Sequence, residues 1–61
     1  MTIVRRVGNH AIAKLDKGEG FEASHKYMVI LNYDESKEYF GIDGDIYKST
    51  LKEAIESAHS W

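Results

Sequence analysis

Three histidines, His10, His25 and His59, are the only side chains that titrate near neutrality when unperturbed, so acid–base or zinc chemistry in this chain would begin with them. Their spacing fits no metal motif. No two stand three or four residues apart on an expected helix. One follows a turn signal, one sits at a strand edge, and one lies near the C-terminal end. They read as surface histidines. Asp43-Gly44-Asp45-Ile46 carries the glycine and the following isoleucine of a calcium loop. With Gly44 in the glycine position, however, the first, third and last ligand positions fall on Tyr39, Gly41 and Thr50, which supply no carboxylates. Gly18-Glu19-Gly20 is too short to cradle a phosphate and has no P-loop lysine. Ser24, Ser36, Ser49, Ser57 and Ser60 stand in neither a G-x-S-x-G elbow nor an S-x-x-K motif. Asp34 and Glu35 fall in an expected exposed turn, with no buried partner to tune them for proton transfer. The reading is therefore noncatalytic, with no catalytic, cofactor-binding or metal site and no cofactor.

The aromatic set offers recognition chemistry instead. Tyr27, Tyr33, Tyr39, Phe40 and Tyr47 all fall on expected strands. The tyrosines give large contact area at little rotamer cost and carry a polar tip, which suits a protein interface. Asp34, Glu35, Glu38, Asp43 and Asp45 cluster in the turns beside Tyr33, Tyr39 and Tyr47, and together these eight residues form a candidate protein-binding surface for a basic partner. The plainer alternative makes them solvated turns around core tyrosines. Tyrosines on an open sheet could also stack nucleic-acid bases, with Arg5, Arg6, Lys14 and Lys26 as phosphate contacts. Acidic charge near the later tyrosines and the absence of an RNA-binding aromatic signature make this the second choice.

A few elements must position these groups. Thr2 to Val7 is rich in β-branched residues, and Gly8-Asn9 turns the chain into His10 to Leu15, read as a second strand although a short helix capped by Asn9 competes. Lys17 to Ser24 reads as a loop that Phe21 anchors. Lys26 to Tyr33 is the best strand, with Tyr27, Val29, Leu31 and Tyr33 on one face and Met28 and Ile30 on the other, which predicts a central position. Asp34-Glu35-Ser36-Lys37 is a polar turn that leads into a partner strand from Glu38 to Ile42. Asp43-Gly44 then returns the chain into Asp45 to Lys48. Thr50 and Glu53 have the form of a capping box, placing a helix start at Leu51, and Leu51, Ala54, Ile55 and Ala58 form its apolar stripe. Trp61 is expected to fold back and close the core. The predicted fold is α+β: a small antiparallel sheet of four to five strands, mostly meander, with one C-terminal helix on one face. The other face would be solvated or would meet a partner.

The 61 residues, 1–61, read as a single domain with a small core, and self-association as a homodimer is one common remedy for that. Cysteine and proline are both absent, which removes disulfide scaffolds and thiolate zinc sites. The opening residues lack an apolar stretch of signal-peptide length, and Tyr27 to Leu31 is too short to span a bilayer, so the expectation is a cytoplasmic protein with no membrane partner. Net charge is −2 but uneven: Met1 to Leu31 holds five basic and three acidic residues, and Asn32 onward three basic and seven acidic.

The segment Tyr47-Lys48-Ser49-Thr50-Leu51-Lys52-Glu53-Ala54-Ile55 resembles the strand-to-helix segment of HicB-type antitoxins and of some small phage inhibitors. The Pro-Asp and Gly-Cys region typical of the antitoxin strand has no counterpart here, so no functional residue is carried across. The leading expectation is a small protein-binding module, of the kind phages and mobile elements use as inhibitors or regulators, that occludes a partner's surface. A nucleic-acid-binding regulator and a structural homodimer without ligand are the alternatives.

Overall fold

A computed structural model describes all 61 residues. Its strands are β1 (Thr2–Val7), β2 (His10–Lys14), β3 (Tyr27–Ile30) and β4 (Ile46–Lys48), followed by the helix α1 (Leu51–His59). The strands form one antiparallel sheet in the order β1-β2-β3-β4, with α1 packed across it. This is the expected small α+β fold.

The first hairpin turns on Gly8, whose φ of 57° with no positive φ at Asn9 is the pattern of a type II′ turn. His10–Lys14 is a strand and not the competing helix, because it is paired on both sides: Ala13 opposes Ile3 on one and Met28 on the other. Between Ile3 and Arg5 the β1–β2 register slips, leaving Val4 as a bulge. β3 is central as expected but ends at Ile30. Beyond it Asn32 takes φ 52°, a left-handed conformation that asparagine tolerates, and the Leu31 amide donates to the Asp45 carboxylate at 2.9 Å. That bend carries Tyr33 to the opposite face from Tyr27, Val29 and Leu31, correcting the expected grouping.

The expected strand at Glu38 to Ile42 is absent. Its backbone is intercepted by side chains and a local turn. The Phe40 amide donates to the Asp43 carboxylate at 2.7 Å, the Asp43 amide returns to the Phe40 carbonyl at 3.0 Å, and the Tyr47 hydroxyl donates to the Gly41 carbonyl at 2.8 Å. β3 therefore pairs directly with β4, Met28 opposing Tyr47, across an irregular connection spanning residues 31–45.

Alternation along the strands divides the apolar residues between two cores. On one face Val7, Ile12 and Val29 pack beneath Ala54 and Ala58 of α1, with Tyr27, Leu31, Ile46, Leu51 and Ile55 around them. The expected helical stripe is the buried one, and its alanines allow the helix backbone close approach to the sheet. Thr50 caps α1 by accepting from the Glu53 amide at 3.2 Å, but the Glu53 carboxylate accepts from the Thr50 hydroxyl at 2.9 Å and not from its amide. Only half of the capping box forms. Trp61 does not close the core; it is 72% exposed.

On the other face Ala13, Leu15, Met28 and Ile30 are buried beneath Met1, Ile3, Tyr33, Tyr39 and Tyr47. This face is neither solvated nor open. The connections cover it, and Gly44 lies so close to Met28 that a Cβ there would fall 2.0 Å from Met28 Cγ.

Candidate interaction surface

The segment from Asn32 to Asp45 holds five acids and one lysine, Lys37. Its conformation is set by polar side chains serving as backbone partners, which an irregular segment needs because no ladder satisfies its amides. Asp34 accepts from the Ser36 hydroxyl at 2.7 Å and the Ser36 amide at 2.9 Å. The Ser36 hydroxyl, first, and then its amide hold the Asp34 carboxyl below its ordinary value of 3.8. Tyr39 accepts from the Asp34 amide through its hydroxyl at 3.1 Å, and its ring packs on Tyr33 with centroids 5.2 Å apart. Arg6 lies over the Tyr33 ring, 5.0 Å from its centroid, and pairs with Glu35 at 3.0 Å. Tyr47 both donates to the Gly41 carbonyl and accepts from the Gly44 amide at 3.1 Å.

The structure therefore brings the eight sequence-derived residues into one connected region but uses their groups unequally. Tyr33, Tyr39 and Tyr47 are half-buried, with the Tyr39 and Tyr47 hydroxyls committed to backbone. Asp34, Asp43 and Asp45 hold backbone amides while their carboxylates stay at the surface; Glu35 is paired with Arg6, and Glu38 is exposed. The large apolar groups at this surface are ones the sequence reading did not single out as contacts. Phe40 is 59% exposed and Ile42 64%, flanking a buried Gly41. Phe21, 66% exposed, sets its ring edge-on to Tyr47 at 5.1 Å, and His25 stacks on the same ring at 5.4 Å. Loop 16–26 is thus held against β4 through the Tyr47 ring and through the Lys26 amide, which donates to the Lys48 carbonyl at 3.0 Å. An aromatic and an aliphatic residue on either side of a glycine, inside an acidic segment, was the available signal. Assigning the segment to a strand hid it.

The basic candidates separate. Arg5 opposes Ile12 and Arg6 opposes Ala11, so the two arginines point to opposite faces of the sheet. Lys14 and Lys26 instead line, with Lys17, a cleft of about 520 Å³. The acids of that cleft are engaged: Asp16 and Glu19 with the Met1 ammonium at 3.0 and 2.9 Å, and Glu22 with His25 at 2.9 Å. The hydrogen bonds that the ammonium donates to Glu19, first, and then to Asp16 raise it above its ordinary 8.0, and the bonds Glu19 accepts from the Asp16 amide, followed by the ammonium, lower Glu19 below 4.5.

The histidines are dispersed. His10 accepts from the Asn32 amide at 3.0 Å through Nδ1, His25 bridges to Glu22, and His59 lies in the last turn of α1. No group of three or more histidine, cysteine or acidic side chains is arranged to hold a metal ion. No helix is long and apolar enough to cross a membrane.

Sheet, helix and stitched connection define a small α+β protein whose distinguishing surface is a loop layer. Comparison with protein-family models, with curated proteins and with solved structures gives no match.

Proposed function

We propose that the protein is a small noncatalytic protein-binding module, an inhibitor or regulator of the kind carried by phages and mobile elements, that acts by covering a partner's surface. The observation that carries this reading is the loop layer itself, an acidic segment fixed by side-chain-to-backbone bonds that presents large apolar side chains to solvent. Ordered loops with exposed apolar and charged groups are typical carriers of recognition. The test is a tagged pull-down from source-cell lysate with and without nuclease. A stoichiometric protein that survives nuclease supports the reading; recovery only of material that nuclease removes defeats it.

A second reading, a nucleic-acid-binding regulator, draws on one observation: Lys14, Lys17 and Lys26 share a cleft and none makes a salt bridge. Counterion release would make such binding steeply salt-dependent. Loss of binding in a Lys14→Ala/Lys26→Ala variant would favour it.

A further inference from the structure

We propose that the contact element is the knuckle Phe40-Gly41-Ile42 with Phe21 beside it, and that it fits a partner protein offering an apolar pocket ringed by lysine or arginine. This rests on the protein-binding reading above and names the site and the partner's chemistry.

The argument begins at Gly41. Its backbone is pressed inward: the carbonyl accepts from Tyr47, and a Cβ at this position would lie 2.8 Å from the Glu19 Cβ. With the glycine at the bottom of the bend, the side chains on either side turn outward. The bend cannot easily relax to hide them. Phe40 is tied to Asp43 through its amide and its carbonyl, and Gly44 is seated on Met28 and bonded to Tyr47. Two large apolar side chains are thus held in water by a backbone fixed at four points, and the cost of ordering them is met before any partner arrives. Phe21 packs edge-on against the ring of Tyr47, whose hydroxyl binds the Gly41 carbonyl. Three of the five large exposed apolar residues are therefore linked to one tyrosine, Phe21 through its ring and Phe40 and Ile42 through the Gly41 between them, whereas Val4 lies on β1 and Trp61 follows α1. An aromatic anchor with aliphatic neighbours is the usual centre of a protein contact.

Charge selects the occupant. Glu38 and Asp43 flank the knuckle in sequence and make no salt bridge, whereas Arg6 offsets Glu35 and the Met1 ammonium offsets Glu19 beneath Gly41; the surrounding segment holds five acids and one lysine. Carboxylates that accept from backbone amides keep their negative charge, so a second copy docked through this face would set acid against acid. A basic rim on a different protein is complementary, and it also speeds encounter.

The test is a selection from a displayed random-peptide library on the immobilised full chain, eluted at low pH, followed by titration of the recovered peptides at low and high salt. The expected peptides combine aromatic or aliphatic residues with lysine or arginine. Their affinity should fall at least tenfold on Phe40→Ala/Ile42→Ala, whose exposed positions leave the fold intact by circular dichroism, and several-fold on Glu38→Gln/Asp43→Asn. Peptides that bind the Phe40→Ala/Ile42→Ala variant as well as the unaltered chain would overturn the knuckle while leaving the binding-module reading standing. Peptides without basic residues, indifferent to salt, would overturn the partner's chemistry. Recovery no better than from blank resin would defeat the binding-module reading itself.

Discussion

The two faces of the sheet are buried by different means. Beneath α1, a regular element satisfies its own backbone and contributes small side chains, so the core there is a matter of shape and area. On the opposite face, an irregular chain closes over Met28 and Ile30, and its backbone must borrow partners from Asp34, Asp43, Asp45, Tyr39 and Tyr47. Apolar burial suffices where a helix provides the cover, whereas a loop cover needs placed polar groups as well. The second solution leaves the outer surface free to carry contact residues. A helix that committed Leu51, Ala54, Ile55 and Ala58 to the core has little of that kind left to show.

The largest blow to the contrast is Ile12→Ala, which opens a cavity under the helix at a fully buried position. Denaturant unfolding should report a loss of about 2–5 kcal/mol, felt by both faces because they share β2. Gly44→Ala comes next. The added carbon meets Met28, so a loss of about 1–3 kcal/mol is expected, and amide exchange should accelerate first in residues 40–44 and only later in α1. Equal acceleration in both regions would show that the two covers are one cooperative unit. Thr50→Ala removes the helix cap and should cost about 1 kcal/mol with faster exchange confined to the first turn of α1. The smallest effect concerns the charges at Met1 and Glu19, on the loop side. A raised ammonium stabilises the fold fully below 8.0, and that contribution disappears as pH rises through its folded value; a lowered Glu19 stabilises above 4.5, and its contribution disappears as pH falls through its folded value. Melting temperature against pH should therefore show a plateau between these limits, and acetylating the α-amine should remove the alkaline decline.

The helix side was legible in the sequence because its signals are local. Thr50 precedes an apolar stripe at helical spacing, and β3 announces itself by apolar residues on both faces. The loop side was misread for a physical reason: Glu38-Tyr39-Phe40-Gly41-Ile42 has strand composition, and strand propensity does not count competitors for the backbone. Those competitors, the Asp43 carboxylate and the Tyr47 hydroxyl, sit three and seven residues beyond Phe40, the first in a local turn and the second on the following strand β4. The closure over Met28 used the tyrosines proposed as contacts and exposed Phe40 and Ile42. Trp61 was misjudged because the alanines of α1 already seal that face.

The bulge at Val4 bears on how this protein behaves when many copies are crowded together. β1 is an outer strand with Ile3, Val4 and Val7 along it, a composition that in a flat six-residue strand would invite sheet-to-sheet growth and fibrils. The register slip twists that edge, and Arg5 and Arg6 set a positive charge on each of its faces, so a second β1 aligned alongside meets a mismatched ladder and like charge. Resistance to aggregation is thereby built into the strand, at the opposite end of the sheet from β4 and Tyr47.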